Sequence, residues 1–487
     1  MKFLCHRISP IYALLVILLI FLFSYSLFGE KISYNDGAGF DGEFYRNVAQ
    51  NFSSDILNNG YDSFRIQRIF PFFLLHIFYS IFSIPATHQN LLYGMGCLQC
   101  INLFSLIFFF FKLAKLLKWS ENVTALLFAC LFFNYYFLKN CGYELFQTDS
   151  FAINLSLISY YFLLRKQVAA SYISALIGFF TWPTITTISC ILILFNKPVL
   201  YDFQKASFPF KTILPLLYFA GFCFIYFALY LCKRQAIFSS ILMFPAPFYY
   251  LIITASITAL FLFFFLRKIS LSFIPSYRDF FSCLKPKKFL LILASLSILK
   301  YACHILSNQE FYYSRTLFAL QIYLRPLKYP LVFLVNHITY WGIFFILILY
   351  FFPDFSSAFM SKSPGHVIVL FIFLFFALDS ESRHISAFVP LLLPSLANTL
   401  SHIRLSKKSL CALITLQLAL SHFYYPINVS GIEKAFENGD FFTFPAQRYF
   451  MNFGPWMNTE SYLFWLATSI LAAFFTIAIL KRASKKT

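Results

Sequence analysis

Apolar residues recur along the chain in blocks of about twenty, separated by short polar or charged stretches. The longest blocks are Pro10–Gly29, Leu91–Phe111, Ser171–Phe195, Phe210–Leu231, Tyr249–Leu266, Tyr329–Phe352 and Ser461–Leu480. A helix needs about 20 apolar residues to cross the hydrocarbon core of a bilayer. Backbone polar groups in lipid must satisfy one another, so each block predicts a helix. Shorter blocks at Ile69–Pro85, Thr124–Leu138, Phe151–Leu164, Phe289–Leu306, His366–Leu378, Ile385–Leu400 and Leu410–Tyr425 bring the expectation to 13–14 membrane helices. The predicted fold is therefore all-α, a polytopic transmembrane protein. It divides into a first helix (1–29), an acidic loop (30–68), a helical bundle (69–425), a second loop (426–460), and a last helix with a basic tail (461–487).

Composition supports this reading. Of the 487 residues 60% are hydrophobic and 12% are charged, against about 25% charged in soluble domains. The formal net charge is +19. The basic residues sit at the ends of apolar blocks, as in Lys2/Arg7, Arg404/Lys407/Lys408 and Lys481/Arg482/Lys485/Lys486. That is the pattern of cytoplasmic loops, not the patterned basic face of a nucleic-acid binder. No nucleic-acid partner is expected; membrane lipids are. The first helix lacks a small-residue cleavage site and reads as retained. Most of the 11 cysteines lie in apolar blocks, and Cys97/Cys100 form a single CxxC inside one, so they imply neither a metal site nor a disulfide framework. No phosphate-binding P-loop and no HExxH occurs. Three short sequons, at Asn51, Asn122 and Asn428, are patterns of the kind that arise by chance.

With the N-terminus inside, the loop Glu30–Arg68 faces outward, as do Asp379–His384 and Pro426–Glu460. The early half admits two readings. If Ile69–Pro85 and Leu91–Phe111 both cross, Lys112, Lys115 and Lys118 fall outside, against the charge rule. If the pair crosses once, those lysines move inside and Glu144 and Asp149 move outside. Ala236–Leu266 must then cross twice to restore the parity. The single crossing is the preferred reading.

Six of the 19 acids, namely Glu30, Asp36, Asp41, Glu43, Asp55 and Asp62, lie in Glu30–Arg68. Orientation rules do not require them there, so the loop is a candidate site. A Gly-rich turn and an amphipathic helix from Glu43 to Asn51 are expected, with Phe44, Val48 and Phe52 toward the membrane surface. In the second loop Trp456 reads as an interfacial aromatic, and the stretch as a lid or short interfacial helix.

The element Asp41-Gly42-Glu43-Phe44-Tyr45, followed by Tyr61-Asp62-Ser63-Phe64-Arg65-Ile66-Gln67-Arg68-Ile69-Phe70-Pro71, resembles the first outer loop of a bacterial group within the GT-C superfamily of membrane glycosyltransferases. The likeness extends to about Arg165. Asp379–His384, leading into a Pro-rich helix, is loosely similar to a late Arg-containing segment of such enzymes.

The resemblance implies a GT-C-like fold with a long first extracytoplasmic loop, in the bacterial inner (cytoplasmic) membrane. It implies transfer of a sugar from a polyprenyl-phosphate carrier to a glycan, lipid or protein acceptor. The displacement would be single and inverting. Asp41 is then the expected base, with Asp149 or Glu144 as a second acid. Arg65, Arg68, Arg383 and His384 are the expected lipid-phosphate ligands. Some members hold a divalent ion, Mg or Mn, between acids of two outer loops and others do not, so metal use stays open.

Each residue also has a plainer role. Asp41 could cap the helix at Glu43, Asp36 could shape an Asn-Asp-Gly turn, and Glu43 could be a first-turn helix acid. Thr148 or Asp149 could cap a helix. Arg65 and Arg68 could anchor the interface, and Arg383 and His384 could pair locally. Lys300, His304, Arg315 and Arg325 break the inside-positive pattern and are further phosphate candidates. The alternatives in function are a lipid-linked glycan transporter or flippase, a polysaccharide polymerase or ligase, and a non-catalytic scaffold. A transporter would show broken helices in two matching halves, and no internal repeat is evident.

Overall fold

The computed structural model describes residues 9–39, 41–58, 60–196, 210–231, 247–269, 283–307, 315–427, 429–439 and 454–484. Lys2, Arg7, residues 236–246, Asn428, Asp440, Arg448, Lys485, Lys486 and the side chain of Arg315 lie outside them. Among the described residues every regular element is helical.

The first half comprises α1 (Pro10–Phe28), α2 (Gly42–Asn58), α3 (Phe70–Ile81), α4 (His88–Leu116), α5 (Glu121–Phe132), α6 (Tyr135–Gly142), α7 (Asp149–Leu164), α8 (Val168–Phe179), α9 (Pro183–Leu194) and α10 (Phe210–Leu231). The second half comprises α11 (Phe248–Leu266), α12 (Pro286–Leu306), α13 (Arg315–Leu324), α14 (Val332–Trp341), α15 (Ile343–Tyr350), α16 (Phe352–Met360), α17 (Pro364–Phe376), α18 (Val389–Ser401), α19 (Lys407–Leu420), α20 (Val429–Asn438) and α21 (Thr459–Ser484).

Among the described residues five helices are long and apolar enough to cross a membrane, and eight spans result if each of three bent pairs counts as one. Side chains of α1 and α12 such as Phe23, Leu27, Leu290 and Ile298 lie uncovered. Apolar surface of that extent suits lipid rather than water.

Contacts sort the helix ends into two faces. At one, Ser9 bonds Glu121, the Leu405 carbonyl accepts from Asn122, and Gly365 N–H donates to Phe195 O. Lys118, Arg165, Lys362, Arg404 and Lys407 fall at the helix ends and turns on this basic face. At the other, Tyr25, Tyr143 and Phe423 stack, Tyr61 N–H reaches Leu306 O, and Tyr329 stacks on Tyr462. The acidic loop lies at this second face.

The start of α3 is tied to the second face by Phe70 N–H to Phe180 O. Beyond its end, His88 meets Arg46 of α2 at 2.9 Å. Helix α3 therefore returns to the face it left. Its 12 residues span about 18 Å, less than a hydrocarbon core of about 30 Å. Ile69–Pro85 does not cross, Lys112 to Lys118 approach the basic face, and Glu144 and Asp149 share a face with Asp41.

The block Ser171–Phe195, expected as one span, is the hairpin α8–α9. The cause is Pro183. The residue before a proline is driven out of the α region, and Trp182 is extended at φ −158°, ψ 96°. Gly178 lets the two arms close: a Cβ there would meet the Ile185 side chain at 2.9 Å. The stretch Ala236–Leu266 was expected to cross twice, and residues 236–246 of it lie outside the described residues. Within its described part, that stretch is the single helix α11.

Helix α2 also departs from expectation. It runs on to Asn58 with a kink at Asn51. Val48 is fully buried, and Phe52 packs on Phe73 and His76. Phe44 meets Tyr45 and Tyr61 edge-on. The apolar stripe of α2 seals α3 and α4, not the membrane surface.

Candidate functional site

Four loop segments converge on the second face. The first is the turn before α2. Asn35 and Asp36 take left-handed φ of 51° and 50°, and Asp36 is an exposed turn residue 3.8 Å from Arg46. Asp41 follows. Its backbone carbonyl accepts from Tyr45 N–H, opening α2. Its carboxylate turns instead toward two arginines, Arg65 at 3.8 Å and Arg383 at 3.6 Å, and is 39% exposed.

The second segment is the 3-10 turn Arg65–Arg68. Asp62 sets it by accepting from the N–H groups of Phe64 and Arg65 at 3.0 and 2.7 Å. Arg65 and Arg68 then part. Arg65 reaches Asp41 and lies 5.2 Å over Phe44. Arg68 lies over Phe64 and Trp182, at 4.5 and 4.4 Å from the ring centres. Among the described residues no carboxylate lies within ion-pair distance of Arg68.

The third segment joins α6 to α7. Glu144 pairs with Lys139 at 2.8 Å and is buried. Thr148 makes no capping hydrogen bond. Asp149, also buried, accepts from Tyr136 Oη at 2.7 Å and pairs with Arg383 at 3.3 Å. Both acids are held in place, which suits positioning roles.

The fourth segment, between α17 and α18, carries Asp379, Glu381, Arg383 and His384. Arg383 bridges Asp41, Asp149 and Glu381, the last at 3.9 Å. Burial works against its charge, but Asp149, Glu381 and Asp41 outweigh burial and raise its pKa further. Arg325 contacts Asp379 at 3.2 Å, Glu381 at 2.8 Å and Gln321 at 3.2 Å. His384 Nδ1 lies 2.5 Å from Asp379. Burial would raise the Asp379 pKa; Arg325 and His384 overcome that and bring it to about 2. Glu381 is likewise held below its usual range, burial being outweighed by His384, Arg325 and Arg383. Arg325, a candidate phosphate ligand by sequence, is committed to these acids.

The ligand atoms of Asp379, Glu381 and His384 lie within 4.8 Å of one another. They do not fit a Mg or Mn site as arranged. Arg325 already occupies the space and supplies the charge that an ion would, and Arg383 does the same between Asp41 and Asp149.

Two cavities flank this network. One, of about 260 Å³, is lined by Asp41, Tyr136, Lys139, Asn140, Glu144, Gln147, Asp149, Asn336, Tyr340, Glu381, Ser382, Arg383 and Trp456. Its lining carries four carboxylates against two cations. The other, of about 410 Å³, is lined by Arg68, Trp182, Lys300, His304 and His384 among apolar and neutral polar residues, with no acid among the described residues of its lining. Trp456 was expected at the membrane interface. It belongs instead to a cavity wall, because Lys328 holds the Pro455 carbonyl and Asn336 accepts from Gly454 N–H at 2.9 Å.

Thus Asp41, Arg65, Arg383, Asp149 and Glu144 meet at or beside the acidic cavity, and Arg68 and His384 line the cationic one. Sequence reasoning missed Trp182, Tyr136, Lys139 and Gln147. Only Trp182 left a signal, as the residue before a proline in an overlong apolar block. Comparison of the chain with protein families, with curated proteins and with solved structures finds no match.

Proposed function

We propose that the protein is a membrane glycosyltransferase of GT-C-like architecture. It would move a sugar from a polyprenyl-phosphate carrier to an acceptor at the face opposite the basic one. The basic helix ends then lie in the cytoplasm and the site is extracytoplasmic, as in a bacterial inner membrane. The observation that carries the reading is Asp41: a part-exposed carboxylate, loosely paired to Arg65 and Arg383, in the cavity next to one whose described lining holds cations and no acid.

The chemistry divides accordingly. An acceptor hydroxyl in the acidic cavity gives its proton to Asp41. Its oxygen bonds the anomeric carbon as the bond from that carbon to phosphate oxygen breaks, inverting the centre. The departing electron pair goes to the phosphate, whose charge is met by Arg68, Lys300, His304 and His384. Arg383, ion-paired to three acids, fixes Asp41 and separates the two charges. No metal is assigned a step.

The test is a transfer assay on wild type and Asp41→Asn, both checked for folding, with a panel of polyprenyl-phosphate sugars and mixed acceptors. Release of polyprenyl phosphate should fall at least 100-fold in the variant. Equal release by both proteins would remove Asp41 from the reaction.

A further inference from the structure

The acidic cavity has a lining that discriminates between acceptor classes. Gln147 is 5% exposed and lines it, yet its Oε1 has no hydrogen-bond partner among the described residues. A buried amide oxygen left unpaired costs about 1–3 kcal/mol, so a ligand donor is the natural completion. Asp41 offers a second acceptor with room around it. Tyr340 and Trp456 supply aromatic walls, and the Trp456 segment is held by Lys328 and Asn336.

We propose that this cavity binds a neutral sugar unit as the acceptor; this rests on the transferase reading. A sugar ring offers hydroxyl donors for Gln147 and Asp41 and a C–H face for an aromatic wall. Both cations of the lining, Lys139 and Arg383, are already ion-paired to its acids, so the described lining holds no uncommitted cation for a uronate or phosphorylated acceptor. The phosphate of the donor is kept in the neighbouring cavity, where the charge balance is reversed.

Binding can be read without transfer. The protein in nanodiscs is given methyl glycosides of glucose, galactose, mannose and N-acetylglucosamine, methyl glucuronide and a serine peptide, and saturation-transfer NMR is recorded. At least one neutral glycoside should saturate at least fivefold more strongly than the glucuronide and the peptide. Gln147→Leu and, separately, Trp456→Ala should abolish that signal, and Lys407→Ala, at the opposite basic face, should leave it. Equal saturation by the glucuronide or peptide, silence of every neutral glycoside, or a signal unchanged in both cavity variants would overturn the proposal. If saccharides bind as expected while no carrier is ever turned over, the transferase reading falls and the binding site stands.

Discussion

Arg68 and Arg383 lie over the same indole, that of Trp182, at 4.4 and 5.5 Å from its ring. One arginine has no acid nearby among the described residues; the other has three. Trp182 therefore stands where the acidic and cationic cavities meet, and it orients both guanidiniums through its π face.

Trp182→Ala should thus disturb both halves of the site. We expect transfer to fall 10- to 100-fold, with KM for the carrier raised and kcat lowered. Trp182→Phe should restore a large part, since a ring remains. Steady-state kinetics on the two variants checks this.

Lys300 and His304 sit one turn apart on α12 and line the cationic cavity. On the proposed reading these residues meet the charge of the departing phosphate, so the double change Lys300→Ala and His304→Ala should lower kcat about tenfold and raise KM for the carrier as well. The increase should shrink at high salt.

Asp379 and Glu381 make stability depend on pH in a fixed direction. Their pKa values are depressed in the fold, Asp379 to about 2, against about 4 in an unfolded chain. Their contribution is complete above about pH 4 and is lost as pH falls toward 2. Melting temperature should drop across that window in wild type and less steeply in Asp379→Asn. That variant should also start lower at pH 7, by about 3–5 kcal/mol, since Arg325 keeps a buried charge with fewer partners.

Gly342 breaks α14 from α15 with φ 63° and ψ −139°. The Gln417 carboxamide fills the break, accepting from Ile343 N–H at 2.8 Å and donating to Phe133 O at 3.0 Å. A Cβ on residue 342 would collide with that carboxamide. Gly342→Ala should destabilise by about 2–3 kcal/mol, seen as a lowered melting temperature, with greater loss than Gln417→Ala alone.

How much of this was legible follows from what each signal measures. Hydropathy reports burial from water. It located α1, α10 and α11 almost to the residue, as blocks Pro10–Gly29, Phe210–Leu231 and Tyr249–Leu266. It does not report reversals inside an apolar block, so α8 and α9 were read as one helix although Pro183 marked the break. Asp41, Arg65 and Arg68 stood out because polar residues in a long loop need a reason. Arg65 and Arg68 share a turn yet serve different cavities, a divergence set by Phe44 and Trp182 rather than by spacing. Gln147 and Lys139 carried no signal, because what marks them is placement in one cavity wall with Asn336, Glu381 and Arg383 from far along the chain.

The central ion cluster joins Asp41, Asp149 and Arg383, the last two standing 234 residues apart in the chain. A ribosome delivers these in order. Until the turn after α17 emerges, Asp149 is without its counter-charge. Any chain halted before residue 383 thus carries an acid whose partner has not been made, and the bundle around α7 closes fully only when the last third of the sequence is present.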